Sequence, residues 1–334
     1  MSGHGFTSVF AADLEGYLAF KSSMGCYGAS RIWYLKQFDR YCTDRALVNL
    51  DRATIEGWVT ALQSSRPGPY RSWMSYIRDF GRWAHINGND NAYVLSDHWK
   101  ASFVRSQPYL LADAEIRLFF QAAVRIECPS PSPSPSPSPS PSPSPSPWTW
   151  QAVAFFALMH SCGLRTGEVR HLTPHDVHLD DGVIEVLASK GHRDRRLPLT
   201  GELVELLAGC DARTRGVIAG DRASFFVMPT GKPVTPVAVG KIFNRIWDTA
   251  ALTRTLEGKR PRPYDFRHHF AYANLQRWMA DGTDVNAMLP YLARYMGHAS
   301  LDSTYYYVHT SPDFMNSYAA ITRDSDQLLP EVGF

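Results

Sequence analysis

The residues of this chain best suited to chemistry are cationic donors and phenols spread over its second half. Arg165 and Glu168 stand three apart in HSCGLRTGEVRHL, just after Gly163 interrupts an apolar run. On a helix that spacing lets the two side chains pair, an interaction worth little at an ordinary surface. Lys190 lies near the tip of a hairpin read from SKGHRDR, where a lysine is usually just solvated. In GKRPRPYDFRHHFAYANLQRW, Asp265 reads as the cap of a helix, which places Arg267 in its first turn. Free N–H groups and the positive end of the helix dipole favour an anion there. The stretch RYMGHASLDSTYYYVH, Arg294 to His309, joins His298 to Tyr305, Tyr306 and Tyr307. Alone, it reads as an aromatic cluster beside a structural histidine. Consecutive helical tyrosines point about 100° apart, so at most one of the three faces any common target.

The elements that must carry these residues are mostly helices. Phe10 to Lys21 and Ser30 to Arg45 read as the first two. Ile55, Trp58, Val59 and Leu62 follow the i, i+3, i+4, i+7 pattern of a third, and Trp73, Tyr76, Ile77 and Phe80 repeat it in a fourth, stopped by Asn87-Gly88-Asn89-Asp90. Arg71, Arg78 and Arg82 fall in one stripe of this fourth helix, opposite its aromatic residues. The stripe is either a solvated face or a row of phosphate contacts. Further on, Asp113 to Ile126 and Thr149 to Ser161 read as helices, Val183 to Ala188 and Arg195 to Leu199 as strands of a hairpin, and Gly201 to Cys210 as helix again. Thr235-Pro236 is a helix start, with Val239, Ile242, Phe243 and Ile246 on the apolar face and Lys241 and Arg245 on the polar one.

At 334 residues the chain has room for two cored domains, and 44% hydrophobic with 20% charged residues is ordinary for a globular protein. A net charge of +2 does not announce a nucleic-acid binder: residues 1–107 hold 12 Lys and Arg against 9 Asp and Glu, and the remainder is near balance. Five scattered cysteines without CxxC spacing favour a reducing compartment and disfavour a cysteine zinc site. No signal-like or membrane-spanning segment is evident, so a cytoplasmic location is expected. From Pro129 to Pro147 proline alternates with serine, which excludes helix and central strand. The tract reads as an extended surface excursion within a helix–helix connection, up to about 60 Å long at ~3.1 Å per residue. The domain linker is expected around Val104 to Pro108.

Five elements, read in order, carry a resemblance. GLRTGE, the lysine of SKGHRDRRLPL, YDFRHHFA, YMGH, and a tyrosine nine residues after that histidine together resemble the tyrosine recombinase (phage integrase) family across most of residues 109–310. The region before is similar to that family's core-binding domain in pattern more than in motif. The resemblance implies a mainly α fold: an N-terminal SAM-like helical bundle over 1–107, a mostly α catalytic domain with a small antiparallel sheet over 108–322, and a tail over 323–334.

It also implies roles. Arg165 and Arg267 are the catalytic arginines, Lys190 the hairpin lysine, His298 the His/Trp position and Tyr307 the nucleophile, with Glu168 and His268 supporting. Tyr264 stands where a histidine is usual. A phenol can donate to phosphate, but with a pKa near 10 it is a poor base at neutral pH. The implied activity is site-specific strand exchange on double-stranded DNA through a covalent 3′-phosphotyrosyl link, needing neither metal nor ATP. The implied assembly is a homotetramer on two DNA sites, with or without sister recombinases. DNA contacts are expected from Arg71, Arg78, Arg82, Lys241 and Arg245. An apolar segment, Phe314 to Ile321, is expected to dock on a neighbouring protomer. The alternatives are a relaxing enzyme like type IB topoisomerases and a catalytically weak DNA-binding partner of another recombinase.

Overall fold

The computed structural model describes residues 3–25, 28–65, 72–99, 108–127, 147–187, 193–218, 220–252 and 261–310. The expectations for Arg71, Lys190, the Pro-Ser tract, the linker and the tail segment lie outside these residues. The chain divides into two compact units, Met1–Ser106 and Gln107–Phe334.

The first unit is a helical bundle of α1 (Ala11–Ser23), α2 (Ala29–Asp44), α3 (Arg52–Ser65) and α4 (Ser72–Ile86). Tyr17, Phe38, Trp58, Trp73 and Phe80 interlock at its centre, with Phe38 edge-on to Trp58 at 5.5 Å and Trp58 edge-on to Trp73 at 5.4 Å. Asp79 ties three elements together by accepting from Tyr17 (2.9 Å) and Arg31 (3.0 Å) and pairing with Lys21 (2.6 Å). Burial pushes its carboxyl up, but these donors outweigh it and hold the group below the usual carboxylate range.

Arg78 corrects the expected stripe. It is 7% exposed; Nε donates to the Leu95 carbonyl at 2.8 Å and Nη2 to that of Ser96 at 3.0 Å. Residues 92–96 cover α4 on this side, so closely that a Cβ on Gly81 would lie 2.6 Å from the Tyr93 carbonyl oxygen. A cation sealed against carbonyls offers nothing to phosphate, whereas Arg82 is exposed.

The second unit is built on α6 (Pro147–Cys162), which begins two residues earlier than the sequence indicates. Ala152, Phe155, Phe156, Leu158 and Met159 bury it nearly all round, so no single face shows a polar period. Around it pack α5 (Asp113–Glu127), α8 (Gly201–Val217), α9 (Pro236–Thr249) and α10 (Asp265–Ala280). Phe119 of α5 is the hub, within 5.3 Å of Phe156 and 5.2 Å of both Phe243 and Phe266. Thr235 caps α9 by accepting from the Ala238 N–H at 3.1 Å, and Lys241 and Arg245 are exposed on its outer side.

After α7 (Thr166–His171) comes a three-stranded antiparallel sheet, β1 (Val177–His178), β2 (Val183–Val186) and β3 (Arg195–Pro198), in the order β1-β2-β3. Ile184 faces Leu197 across the central pair, and both are buried. Two short helices finish the described chain: α11 (Val285–Met296) and α12 (Asp302–Thr310), both packed on α10.

Candidate active site

The site forms where the C-terminus of α11 meets three arginines from distant segments. The last carbonyls of a helix lack intrahelical donors and carry the negative end of its dipole. Here Tyr295 O accepts from Arg195 Nε at 2.8 Å, Met296 O from Arg267 Nη2 at 2.6 Å, and Gly297 O from Arg165 Nη2 at 2.8 Å. Three successive carbonyls thus fix three guanidinium groups from β3, α10 and the α6–α7 junction.

Gly297 makes this possible. Its φ of 67° and ψ of 43° place it in the left-handed region, where glycine pays no Cβ penalty. Gly297 N–H donates to Arg294 O (3.1 Å) and His298 N–H to Ala293 O (2.9 Å), a Schellman ending. A Cβ here would lie 2.9 Å from Arg195 Nη1. The same turn swings His298 back into the site.

Glu168 is the shared counter-ion. Its carboxylate accepts from the Arg165 backbone N–H (2.9 Å) and Arg165 Nη1 (2.7 Å), and from both terminal nitrogens of Arg195 (3.2 and 2.9 Å). Arg267 Nη1 lies 3.9 Å away. Burial pushes the carboxyl up, but the Arg195 and Arg165 contacts outweigh it and hold Glu168 ionised below the usual range. Three arginines against one glutamate leave the cluster positive.

Arg267 is fully buried. Its Nη1 donates to Gly163 O at 2.6 Å, at the glycine (φ 60°) that ends α6, while its Nε has no hydrogen-bond partner among the described residues. A buried donor of a charged group left unmatched costs several kcal/mol by order of magnitude, so this N–H is poised for an acceptor. Asp265 corrects a second expectation. It is the first residue of α10 rather than its cap, and its Oδ2 accepts from the Arg262 backbone N–H at 2.6 Å, pinning the incoming loop. Arg267 still falls in the first turn.

His298 and Tyr307 complete the cluster. Burial, then the charges of Arg267, Arg165 and Arg195, push the His298 pKa down to about 3, so the ring is neutral near pH 7. Its Nδ1 lies 2.7 Å from the Thr304 hydroxyl of α12. Tyr307 is 3% exposed, with its ring stacked 6.0 Å from His298 and edge-on 5.4 Å from His268. Burial raises its phenol pKa and the Arg267 charge opposes that rise. Tyr305 is 38% exposed, and Tyr306 packs on Tyr307 at 5.6 Å. Tyr264, immediately before α10, is 36% exposed and edge-on to His268 at 4.9 Å.

The structure therefore brings together Arg165, Glu168, Tyr264, Arg267, His268, His298 and Tyr307. Arg195 is the residue sequence reasoning missed. It lies among four closely spaced arginines and histidines in GHRDRR, and only its start-of-strand position marks the inward one.

Residues 143–313 match the sequence profile described as the phage integrase family, just over half the chain. The chain belongs to the phage integrase family. Its class of enzyme is the tyrosine-type site-specific recombinase. Curated proteins of similar sequence include the "Putative integrase/recombinase y4rE" of Sinorhizobium fredii, at 26% identity over 93% of this chain and 94% of that one. The tyrosine recombinase XerC of Neisseria meningitidis is 33% identical over 48% of this chain and 47% of its own. Solved phage integrase folds superpose as well: XerH recombinase on a palindromic difH substrate after cleavage (TM-score 0.58, 18% identity, 87% of this chain and 78% of that one). The Tn1549 transposon integrase with transposon right-end DNA also superposes (TM-score 0.58, 15% identity, 93% and 98%). Among the described residues no helix is long and apolar enough to cross a membrane.

Proposed function

We propose that this phage integrase cuts and rejoins duplex DNA at a specific site through Tyr307. The Tyr307 oxygen attacks the scissile phosphorus, forming a 3′-phosphotyrosyl link and releasing a 5′-hydroxyl; a second DNA end reverses the step. Phosphoryl transfer spreads negative charge over the non-bridging oxygens, so fixed cations supply most of the stabilisation. Arg165 and Arg267 serve as permanently charged forks and neutral His298 as a further donor. Tyr264 donates a hydrogen bond to a phosphate oxygen. Lys190, between β2 and β3 in sequence, protonates the leaving oxygen. The link stores the phosphodiester energy, so the reaction as proposed draws on neither ATP nor a metal ion.

The observation that supports this most strongly is the unmatched Nε of buried Arg267 beside Tyr307 in a net-positive cluster. A phosphate oxygen brought there meets an unmatched cationic donor. Arg267 and Tyr307 are both sealed from solvent, so α12 must shift as DNA docks. The acting assembly is a tetramer on two DNA sites; a solved lambda integrase tetramer on a Holliday junction shares the fold at TM-score 0.53. Exposed Arg82, Lys241 and Arg245 provide phosphate contacts along the duplex. The test is a nicked suicide substrate carrying the cognate site. A covalent protein–DNA adduct is expected. A chain that binds the site but forms no adduct is instead a non-catalytic partner, and site-independent plasmid relaxation by a monomer marks a topoisomerase-like enzyme.

A further inference from the structure

Tyr264 is a phenol and a poor base, and the structure holds an imidazole one helical turn further along α10. His268 is 8% exposed, and its ring meets Tyr264 at 4.9 Å, Tyr307 at 5.4 Å and Tyr306 at 6.2 Å. Its Nδ1 is buried and has no hydrogen-bond partner among the described residues. Buried ring nitrogens are normally matched; in the tautomer that carries its proton on Nε2, this unmatched Nδ1 is able to accept one. His298, the other imidazole against Tyr307, has its Nδ1 occupied by Thr304.

We propose that His268 is the general base that accepts the Tyr307 proton. This rests on the reading of Tyr307 as nucleophile. As the Tyr307 oxygen forms its bond to phosphorus, the phenolic proton passes to His268 Nδ1. The P–O5′ bond breaks, and the leaving oxygen takes its proton from a separate donor. When the second DNA end attacks, the imidazolium returns the proton to the departing phenol. The step needs hydroxyl and nitrogen to close to about 2.6–3.2 Å, which the proposed shift of α12 on DNA docking has to provide.

The surroundings suit the role. The groups facing His268 are the cations Arg262 and Arg267 and the phenols Tyr264, Tyr306 and Tyr307. Burial, then Arg262 and Arg267, pull its pKa down to about 4, so the ring is neutral and able to accept across the physiological range. Asp265, three residues before it on α10, directs its carboxylate to Arg262 instead. Tyr264 is then a donor to phosphate and a wall that holds the imidazole edge toward Tyr307.

The test is single-turnover adduct formation by the full chain on a suicide substrate, wild type against His268→Gln and His268→Asn. Site binding by mobility shift and thermal unfolding show whether each variant folds and docks. The wild-type rate should be flat from about pH 6 to 9, because the base is already unprotonated. The variants should be about 10²–10⁴-fold slower at pH 7 and should gain close to tenfold per pH unit as hydroxide replaces the base. A substrate with sulfur at the bridging 5′ position needs no leaving-group proton, so the defect should persist on it. Variants that are slow by one constant factor at every pH, or that recover on the sulfur substrate, overturn the base assignment in favour of a packing or leaving-group role. Variants as fast as wild type overturn it outright. If wild type forms no adduct, the recombinase reading itself falls.

Discussion

Substituting alanine for Gly297 tests whether the α11 terminus organises the site. The perturbation has two parts. Gly297 sits at φ 67°, where an L-residue with a Cβ loses about 1–2 kcal/mol. The new methyl would also meet Arg195 Nη1 at 2.9 Å and Cζ at 3.2 Å. An arginine tip can often swing aside, but this one is bonded to both Glu168 oxygens and to Tyr295 O. Yielding breaks at least one charged hydrogen bond, worth about 1.5–3 kcal/mol. Together the cost is about 2.5–5 kcal/mol, a large share of a typical domain's stability, and melting should fall by roughly 10 °C at ~2–4 °C per kcal/mol. A displaced Arg195 also disturbs Glu168, which holds Arg165, so adduct formation should fall as well. Thermal unfolding and single-turnover cleavage read the two effects. Gly297→Ala melting within a degree of wild type and cleaving at the wild-type rate would refute the reasoning.

Other expectations follow from the same contacts. Arg195→Ala should lose about 3–5 kcal/mol, because it leaves Glu168 buried with part of its compensation gone; Arg195→Lys keeps the charge but not the fork, and should slow adduct formation about 10²-fold by misplacing Arg165, while site binding stays near wild type. Arg78→Met should lower the unfolding midpoint yet leave the salt dependence of DNA binding unchanged, since its donors serve Leu95 and Ser96; a smaller salt slope would restore Arg78 as a phosphate contact. Glu168 gives a pH signature: its folded pKa lies below the unfolded value of about 4.3, so its stabilisation is complete above that pH and fades as pH falls through the folded pKa. The unfolding midpoints of wild type and Glu168→Gln should therefore differ near neutrality and converge in acid.

How far the site was legible in sequence depended on whether a residue's role is local. The α3 and α4 periods, the Thr235 cap and the ordered motifs through Tyr307 are short-range patterns, and each left a trace. Arg78 misled because helical periodicity was read as two faces, one aromatic and one polar. Residues 92–96 close over the second face, and no spacing within α4 announces that cover. Arg195 escaped because the reason for its burial lies 27 residues away at Glu168 and 100 away at Tyr295. A two-residue strand such as Val177–His178 is too short to carry a period. Burial of α6 on nearly all sides erased its polar face in the same way.

The central claim is that Tyr307, rather than either neighbouring tyrosine, attacks DNA. Its most direct measurement is covalent adduct formation on a nicked suicide substrate by wild type, Tyr305→Phe, Tyr306→Phe and Tyr307→Phe, with the linked residue located by peptide mass. Adducts from all but Tyr307→Phe, joined through Tyr307, are what the account predicts. An adduct formed by Tyr307→Phe would contradict it.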